Sequence, residues 1–295
     1  MPWLQLKFET HPDLAERLSE LLEAAGASAV TLQDAADQPL FEPPPGATPL
    51  WKQILISGLF EADANIQQIL ADIEQALGNT PLPNWTLNPL EDKDWVRAWM
   101  EDYRPMRFGE RLWIVPSTFE PPQPEAVNIL LDPGLAFGTG THPTTAMCLH
   151  WLDAHPPVDQ AVIDYGCGSG ILAIAACRLG ARSALAIDND PQALLATRDN
   201  AQLNQVADHI QARLPNAPPE TPAPLLLANI LASPLHALAP QFADYVHADG
   251  QLVLSGIIES QAEALIQRYR PWFDMSLYRQ EEEWICLHGH RKSNG

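Results

Sequence analysis

Three alternating glycines, Gly166, Gly168 and Gly170, end the β-branched run Val162-Ile163-Asp164 and open the apolar stretch 171–179. The order reads as strand, tight turn, helix, and glycine at these positions lets the turn take unusual backbone angles and lets a ligand approach the main chain. Asp188 closes the next apolar run, Ala184-Leu185-Ala186-Ile187. It lies about 20 residues beyond the turn, the spacing at which a carboxylate meets ribose hydroxyls. Together the glycines and the carboxylate predict a nucleoside pocket.

The residue after the third glycine narrows the choice of nucleoside. A dinucleotide fingerprint needs a helix amino end open to a pyrophosphate and a small residue for close packing. Ile171 stands there instead. The Gly-x-Gly-x-Gly form resembles motif I of S-adenosylmethionine-dependent methyltransferases, whose ligand has a ribose and a methionine tail but no phosphate. The expected cofactor is therefore the methyl donor S-adenosyl-L-methionine.

A second cluster precedes it: Leu131-Asp132-Pro133-Gly134-Leu135-Ala136-Phe137-Gly138-Thr139-Gly140-Thr141-His142-Pro143-Thr144-Thr145. This polar, glycine-rich loop feeds a helix amino end, a favourable place for a carboxylate. It reads as a flap over the methionine end of the donor, with Thr144 or Thr145 in contact and Phe137 and Gly138 as further candidates. The alternative is a Thr-capped helix after an irregular linker. Histidine is a common general base, which makes His142 a candidate, yet a lone His before Pro at a helix start reads better as structural. Cys167 has no role in methyl transfer and reads as packing inside the turn.

Asn229 ends the apolar run Leu225-Leu226-Leu227-Ala228. In a doubly wound sheet ligands sit at the carboxyl ends of strands, which would put Asn229 in the same crevice as Gly166 and Asp188. Its carboxamide could hold an incoming amine and aim the nitrogen lone pair at a methyl group. A helix cap for the segment that follows is the alternative.

These residues need a framework. Residues 1–90 alternate strand and helix patterns in the order βαββαβ, that of a small ferredoxin-like α+β domain. Residues 91–125 read as a connector: a charged helix carrying Trp95, Trp99 and Tyr103 on one face, then a hairpin around Gly109-Glu110. Residues 127–131 form a strand leading into a domain over 126–295. There strands and helices alternate, which specifies a mostly parallel sheet covered on both faces. Segments 273–278 and 283–288 are close enough to pair as a hairpin and give that sheet an antiparallel edge.

A chain of 295 residues with 46% hydrophobic and 18% charged residues is that of an ordinary globular protein of two domains. No apolar run has the length of a membrane span, and the first residues lack a signal-peptide pattern, so a cytoplasmic location is expected. Cys148, Cys167, Cys177 and Cys286 show no metal spacing, and no metal is expected. A net charge of −20 repels phosphate backbones. It favours a basic protein partner over nucleic acid, although excess acid also serves solubility alone.

The long loop motif, the run Asp164-Tyr165-Gly166-Cys167-Gly168-Ser169-Gly170-Ile171-Leu172 and the run Ala228-Asn229-Ile230-Leu231-Ala232 resemble the ribosomal protein L-eleven (L11) methyltransferase, or PrmA, family. Glu91-Asp92-Lys93-Asp94-Trp95 and Met106-Arg107-Phe108-Gly109-Glu110-Arg111-Leu112-Trp113 are similar too. The resemblance implies a seven-stranded class I methyltransferase domain tethered to a domain that grips the ribosomal protein. It implies transfer of methyl groups to several lysine side chains and the terminal α-amine. Carried over by position, the donor contacts would be Thr145, Gly166, Asp188 and Asn229, with Thr144, Gly168 and Gly170 beside them. Tyr165 stands where Phe is common in that family and Asn189 where its members vary. Two rivals stay open: a methyltransferase of another protein, an RNA or a small amine, and a non-catalytic donor-binding regulator.

Overall fold

The computed structural model describes residues 3–36, 38, 48–90, 103–132 and 140–293. The expected connector helix falls outside them up to residue 102, as do Phe137 and Gly138. The chain divides into two compact units, residues 1–98 and 99–295.

In the first unit β1 (Trp3–Thr10) leads to α1 (Pro12–Ala24), β2 (Ala29–Asp34), β3 (Ile54–Glu61), α2 (Ile66–Leu77) and β4 (Trp85–Leu90). Pro12, with its fixed φ, opens α1 after the extended His11. The Asn65 side chain accepts from Gln68 N at 3.2 Å to cap α2. The strands lie in the order β2-β3-β1-β4, with every pairing antiparallel. One sheet face carries Leu6, Phe8, Ile54, Ile56 and Phe60 into a core shared with Leu18 and Leu22 of α1 and Ile69 and Ile73 of α2. This is the βαββαβ arrangement that the alternating apolar pattern predicts.

The second unit opens with a three-stranded sheet, β5 (Met106–Phe108), β6 (Leu112–Val115) and β7 (Val127–Leu130). The hairpin turns at Gly109, φ +68°, where a Cβ would collide with the Asp153 carboxylate. Asp153 accepts the Glu110 backbone N–H at 2.7 Å. β7 pairs in parallel with β6, so it extends the hairpin's sheet and does not join the large one.

The large sheet contains β8 (Ala161–Tyr165), β9 (Ser183–Ile187), β10 (Ile210–Arg213), β11 (Ala223–Asn229), β12 (Val246–Ile258), β13 (Phe273–Glu281) and β14 (Trp284–Arg291). Their order is β10-β9-β8-β11-β12-β14-β13. Helices α3 (Pro143–Ala154), α4 (Ile171–Arg178), α5 (Pro191–Leu203), α6 (Ala232–Tyr245) and α7 (Glu259–Tyr269) accompany it. One buried cluster joins α3, α4 and α5 to the sheet, and a second joins α6 and α7. The antiparallel hairpin forms as expected, but its second strand enters the sheet between β12 and β13 and the edge goes to β13. Burial explains this placement. Ile285, Cys286 and Leu287 are apolar in succession and all buried, which requires cover on both faces, whereas β13 is mostly exposed.

Candidate active site

Gly166, Asp188 and Asn229 stand at the carboxyl ends of β8, β9 and β11, three neighbouring strands with β8 in the middle. β8 is where the strand order reverses, and the crevice outside such a switch point is the ligand position of open α/β sheets.

The turn after β8 is shaped from several sides. Gly166 N and Cys167 N both donate to Ile187 O, at 2.7 and 3.1 Å, which ties the turn to the end of β9. Gly166, Gly168 and Gly170 all have positive φ, at +77°, +53° and +80°. A Cβ on Gly166 would collide with the Ile230 side chain, so glycine is needed there for space as well as for angle. Tyr165 packs edge-on against Phe242 with ring centroids 5.0 Å apart, away from the turn's own hydrogen bonds.

Asp188 is fixed by the backbone. Its Oδ2 accepts Gly168 N at 2.9 Å and its Oδ1 accepts Asp190 N at 3.0 Å. A carboxylate offers about four lone-pair sites, so each oxygen keeps capacity for a further donor. Below the turn, Asp164 is fully buried. Its Oδ2 accepts Ala173 N in the first turn of α4 at 3.0 Å, and its Oδ1 has no partner among the described residues. Burial pushes this carboxyl up to about 7, against the pull of the Ala173 N–H, and Asp188 pushes it further the same way. The sequence pattern placed Asp164 in the strand but gave no sign of this shift.

The glycine-rich loop's end meets the same crevice. Asn229 Nδ2 donates to Thr145 Oγ1 at 3.0 Å across 84 positions of sequence. The N-cap of α6 is Leu231, so Asn229 does not cap that helix. Thr144 and Thr145 are both buried in the first turn of α3. His142 is the N-cap of α3, and its Nδ1 lies 2.7 Å from Thr144 Oγ1 and accepts Thr144 N at 3.4 Å. The structural reading of His142 holds. Its ring also meets Trp284, the first residue of β14, with centroids 4.8 Å apart. That tryptophan attracted no attention in the sequence, because it heads an ordinary apolar strand.

Cys167 Sγ lies 3.3 Å from Thr197 Oγ1, and burial pushes the thiol well up, so it packs. A cavity of about 460 Å³ lies at the other end of α3, lined by Gly109, Glu110, Arg111, His150, Asp153 and Tyr278 among others. Asp153 already holds the Glu110 and Arg111 backbone there, and the cavity shares no residue with the crevice at Gly166. Among the described residues no group of three His, Cys, Asp or Glu side chains could hold a metal, and no helix is long and apolar enough to cross a membrane.

A family model described as ribosomal protein L11 methyltransferase (PrmA) matches residues 2–292. The chain belongs to the PrmA family. A ribosomal protein L11 methyltransferase of Marinobacter nauticus is 54% identical over 296 residues, which cover 99% of each chain. One from Cellvibrio japonicus is 52% identical over 97% of this chain and 98% of that one. Among solved structures, a ribosomal protein L11 methylase of Lactobacillus delbrueckii subsp. bulgaricus is 35% identical with a TM-score of 0.58. It matches 64% of this chain and 100% of its own.

The PrmA family name implies a methyl donor, and the crevice suits S-adenosyl-L-methionine. Acceptors, Asp188 and Asn229, stand at the strand ends, and the turn 166–170 carries no Lys or Arg, as fits a nucleoside without phosphates. At Gly166 and Gly170 a Cβ would meet the Ile230 and Thr197 side chains, so glycine lets the turn pack closely against its neighbours at the mouth of the crevice.

Proposed function

We propose that this protein transfers methyl groups from S-adenosyl-L-methionine to lysine side-chain and terminal amines of ribosomal protein L11. The observation that carries the reading is the meeting of Gly166, Asp188 and the Thr145–Asn229 pair in one crevice of a chain that belongs to the PrmA family. The donor supplies an electrophilic methyl group on a positively charged sulfur.

The chain's own residues bind and align. Asp188 accepts from the ribose hydroxyls while Gly168 N holds it in place. The buried Thr145 contacts the donor from the end of the glycine-rich loop, with Gly166, Gly168 and Gly170 supplying main-chain surface. Asn229 donates its amide N–H to Thr145 and presents its carbonyl oxygen to the N–H of the acceptor amine, which aims the nitrogen lone pair. Phe137 and Gly138 belong to the same proposal as loop contacts.

The acceptor must be a neutral amine, and a lysine ammonium has an ordinary pKa near 10.4. Desolvation on entering the crevice favours loss of its proton to water, and alignment does the rest. Residues 1–90 serve as the recognition domain, residues 91–125 as the connector and residues 126–295 as the methyltransferase domain. Support comes from the first unit's separate core and from the exposed Asp13, Glu16, Glu20 and Glu23 on the outer face of α1, which suit a basic partner. The reaction belongs in the cytoplasm, where ribosomal proteins are made.

Incubating the purified protein with methyl-labelled donor and purified L11 tests the reading. Label is expected on lysine and terminal amines of L11. Absence of label on L11, with label on RNA or small amines in parallel incubations, would overturn the substrate.

A further inference from the structure

One face of α5 points polar side chains at the glycine turn. Thr197 is fully buried, and its Oγ1 donates to Gly168 O at 3.0 Å. Asn200 Nδ2 donates to Ser169 O at 2.9 Å. Asn204, at the C-cap of the same helix, holds Leu130 from both sides: Oδ1 accepts Leu130 N and Nδ2 donates to Leu130 O, each at 2.7 Å. Residues 197, 200 and 204 follow at i, i+3 and i+7 and share one helix face. Leu130 belongs to β7, the outer strand of the small sheet, so one helix fastens the glycine turn to that sheet's edge.

The main-chain polar groups around Gly168 are therefore held from two sides. Gly168 N–H is taken by Asp188, and Gly168 and Ser169 carbonyls are taken by α5. Gly170 lies against Thr197 so closely that a Cβ would be 2.8 Å from Thr197 Cγ2. Thr197 thus sets where the turn can sit as well as which way its carbonyls point.

We propose that Thr197 and Asn200 are positioning residues for methyl-donor binding, with Asn204 anchoring their helix to β7. By turning the Gly168 and Ser169 carbonyls into the protein, they keep negative ends of peptide dipoles off the donor's side of the turn. They also keep Gly168 N–H directed at Asp188, so the carboxylate is preset for the ribose. The inference rests on the reading of the crevice as a donor site.

Calorimetric titration of the full-length protein with S-adenosyl-L-methionine, paired with melting temperatures, tests it. Thr197→Val and Asn200→Ala are each expected to raise the donor Kd about 5- to 10-fold, the effect of one lost hydrogen bond. Thr197→Ser keeps the hydroxyl and is expected to stay within about twofold of the unsubstituted protein. Tyr269→Phe removes the Tyr269 bond to Leu235 O between α7 and α6, remote from the turn, and serves as the stability control. It should lower the melting temperature without changing donor Kd. Because Asn200 is only half-buried, its variant gives an answer even if Thr197→Val fails to fold. Donor Kd unchanged in Asn200→Ala and in any folded Thr197→Val, or raised equally in Tyr269→Phe, would overturn the proposal. An unsubstituted protein that binds no donor would instead remove the donor-site reading, and this inference with it.

Discussion

Asn229 and Thr145, 84 positions apart in the chain, are joined by a 3.0 Å hydrogen bond from the carboxamide nitrogen to the hydroxyl oxygen. The bond fixes which way the carboxamide lies. With the N–H end committed to α3, the oxygen is the end available to an amine, which is the polarity that aligning a nucleophile requires. Asn229→Ala should then lower kcat more than it weakens donor binding. In a double-mutant cycle with Thr145→Val, the two sites should couple by about 0.5–1.5 kcal/mol because each loses the same bond. Rate measurements at saturating donor, with calorimetry alongside, check both. Equal losses in rate and donor affinity would make Asn229 a donor contact alone.

Asp188→Ala should weaken donor binding by about 1.5–3 kcal/mol, the range for hydrogen bonds to a charged partner. The same carboxylate also holds Gly168 N, so part of the loss comes through a loosened turn. Asp188→Asn separates the two effects. It keeps a carbonyl oxygen for Gly168 N and should retain the melting temperature better than Asp188→Ala while still losing donor affinity. A folded Asp188→Ala variant with full donor affinity would take Asp188 out of the ribose site.

The turn and the strand ends were legible because their signals are local: β-branched run, alternating glycines, apolar helix, then an acid at the end of the next strand. What was not legible depends on distant partners. Nothing in Thr197-x-x-Asn200-x-x-x-Asn204 announces that it faces Gly168, Ser169 and Leu130, since polar residues on a helix ordinarily mark its solvent side. The interior position of β14 was hidden for a similar reason. Adjacent segments 273–278 and 283–288 predict a hairpin, but which strand lies outermost depends on β12, and only the unbroken apolar run Ile285-Cys286-Leu287 hints at it. Likewise a strand over 127–131 is readable, while its pairing with β6 rather than with the large sheet is not.

Asp164 makes a pH prediction with a definite sign. Its carboxyl is raised from 3.8 to about 7 in the folded protein, so between those values the folded state holds a proton that the unfolded state has released. Stability from this group is then present below about pH 4 and is lost as pH rises toward 7. His288 acts in the opposite sense. Burial first, then His290 and His155, lower it from 6.5 to about 4, so its contribution is present above 6.5 and lost as pH falls toward 4. The two slopes oppose each other in the shared window. Asp164→Asn removes one of them, and the variant's stability should rise more steeply with pH between about 4 and 6.5 than that of the unsubstituted protein. Denaturant titrations at several pH values measure it, and parallel curves for the two proteins would show that Asp164 is ionised in the fold.

Removing residues 1–98 should separate donor binding from substrate use. The core of the first unit, built on Leu6, Phe8, Ile54 and Ile56, shares no buried residue with the two clusters of the second. The crevice proposed to hold the donor is built from residues 145–229 among those described, all in the second unit. The shortened chain should therefore fold and bind S-adenosyl-L-methionine with affinity close to that of the full chain. Its kcat/KM for intact L11 should fall at least about tenfold, or about 1.4 kcal/mol in transition-state stabilisation, if the first unit recognises the ribosomal protein as proposed. A free lysine-containing peptide should be modified at similar rates by both forms, since a short acceptor reaches the crevice without the first unit. Methylation of L11 at the full-length rate by the shortened chain would assign the first unit another task, such as supporting folding of the second.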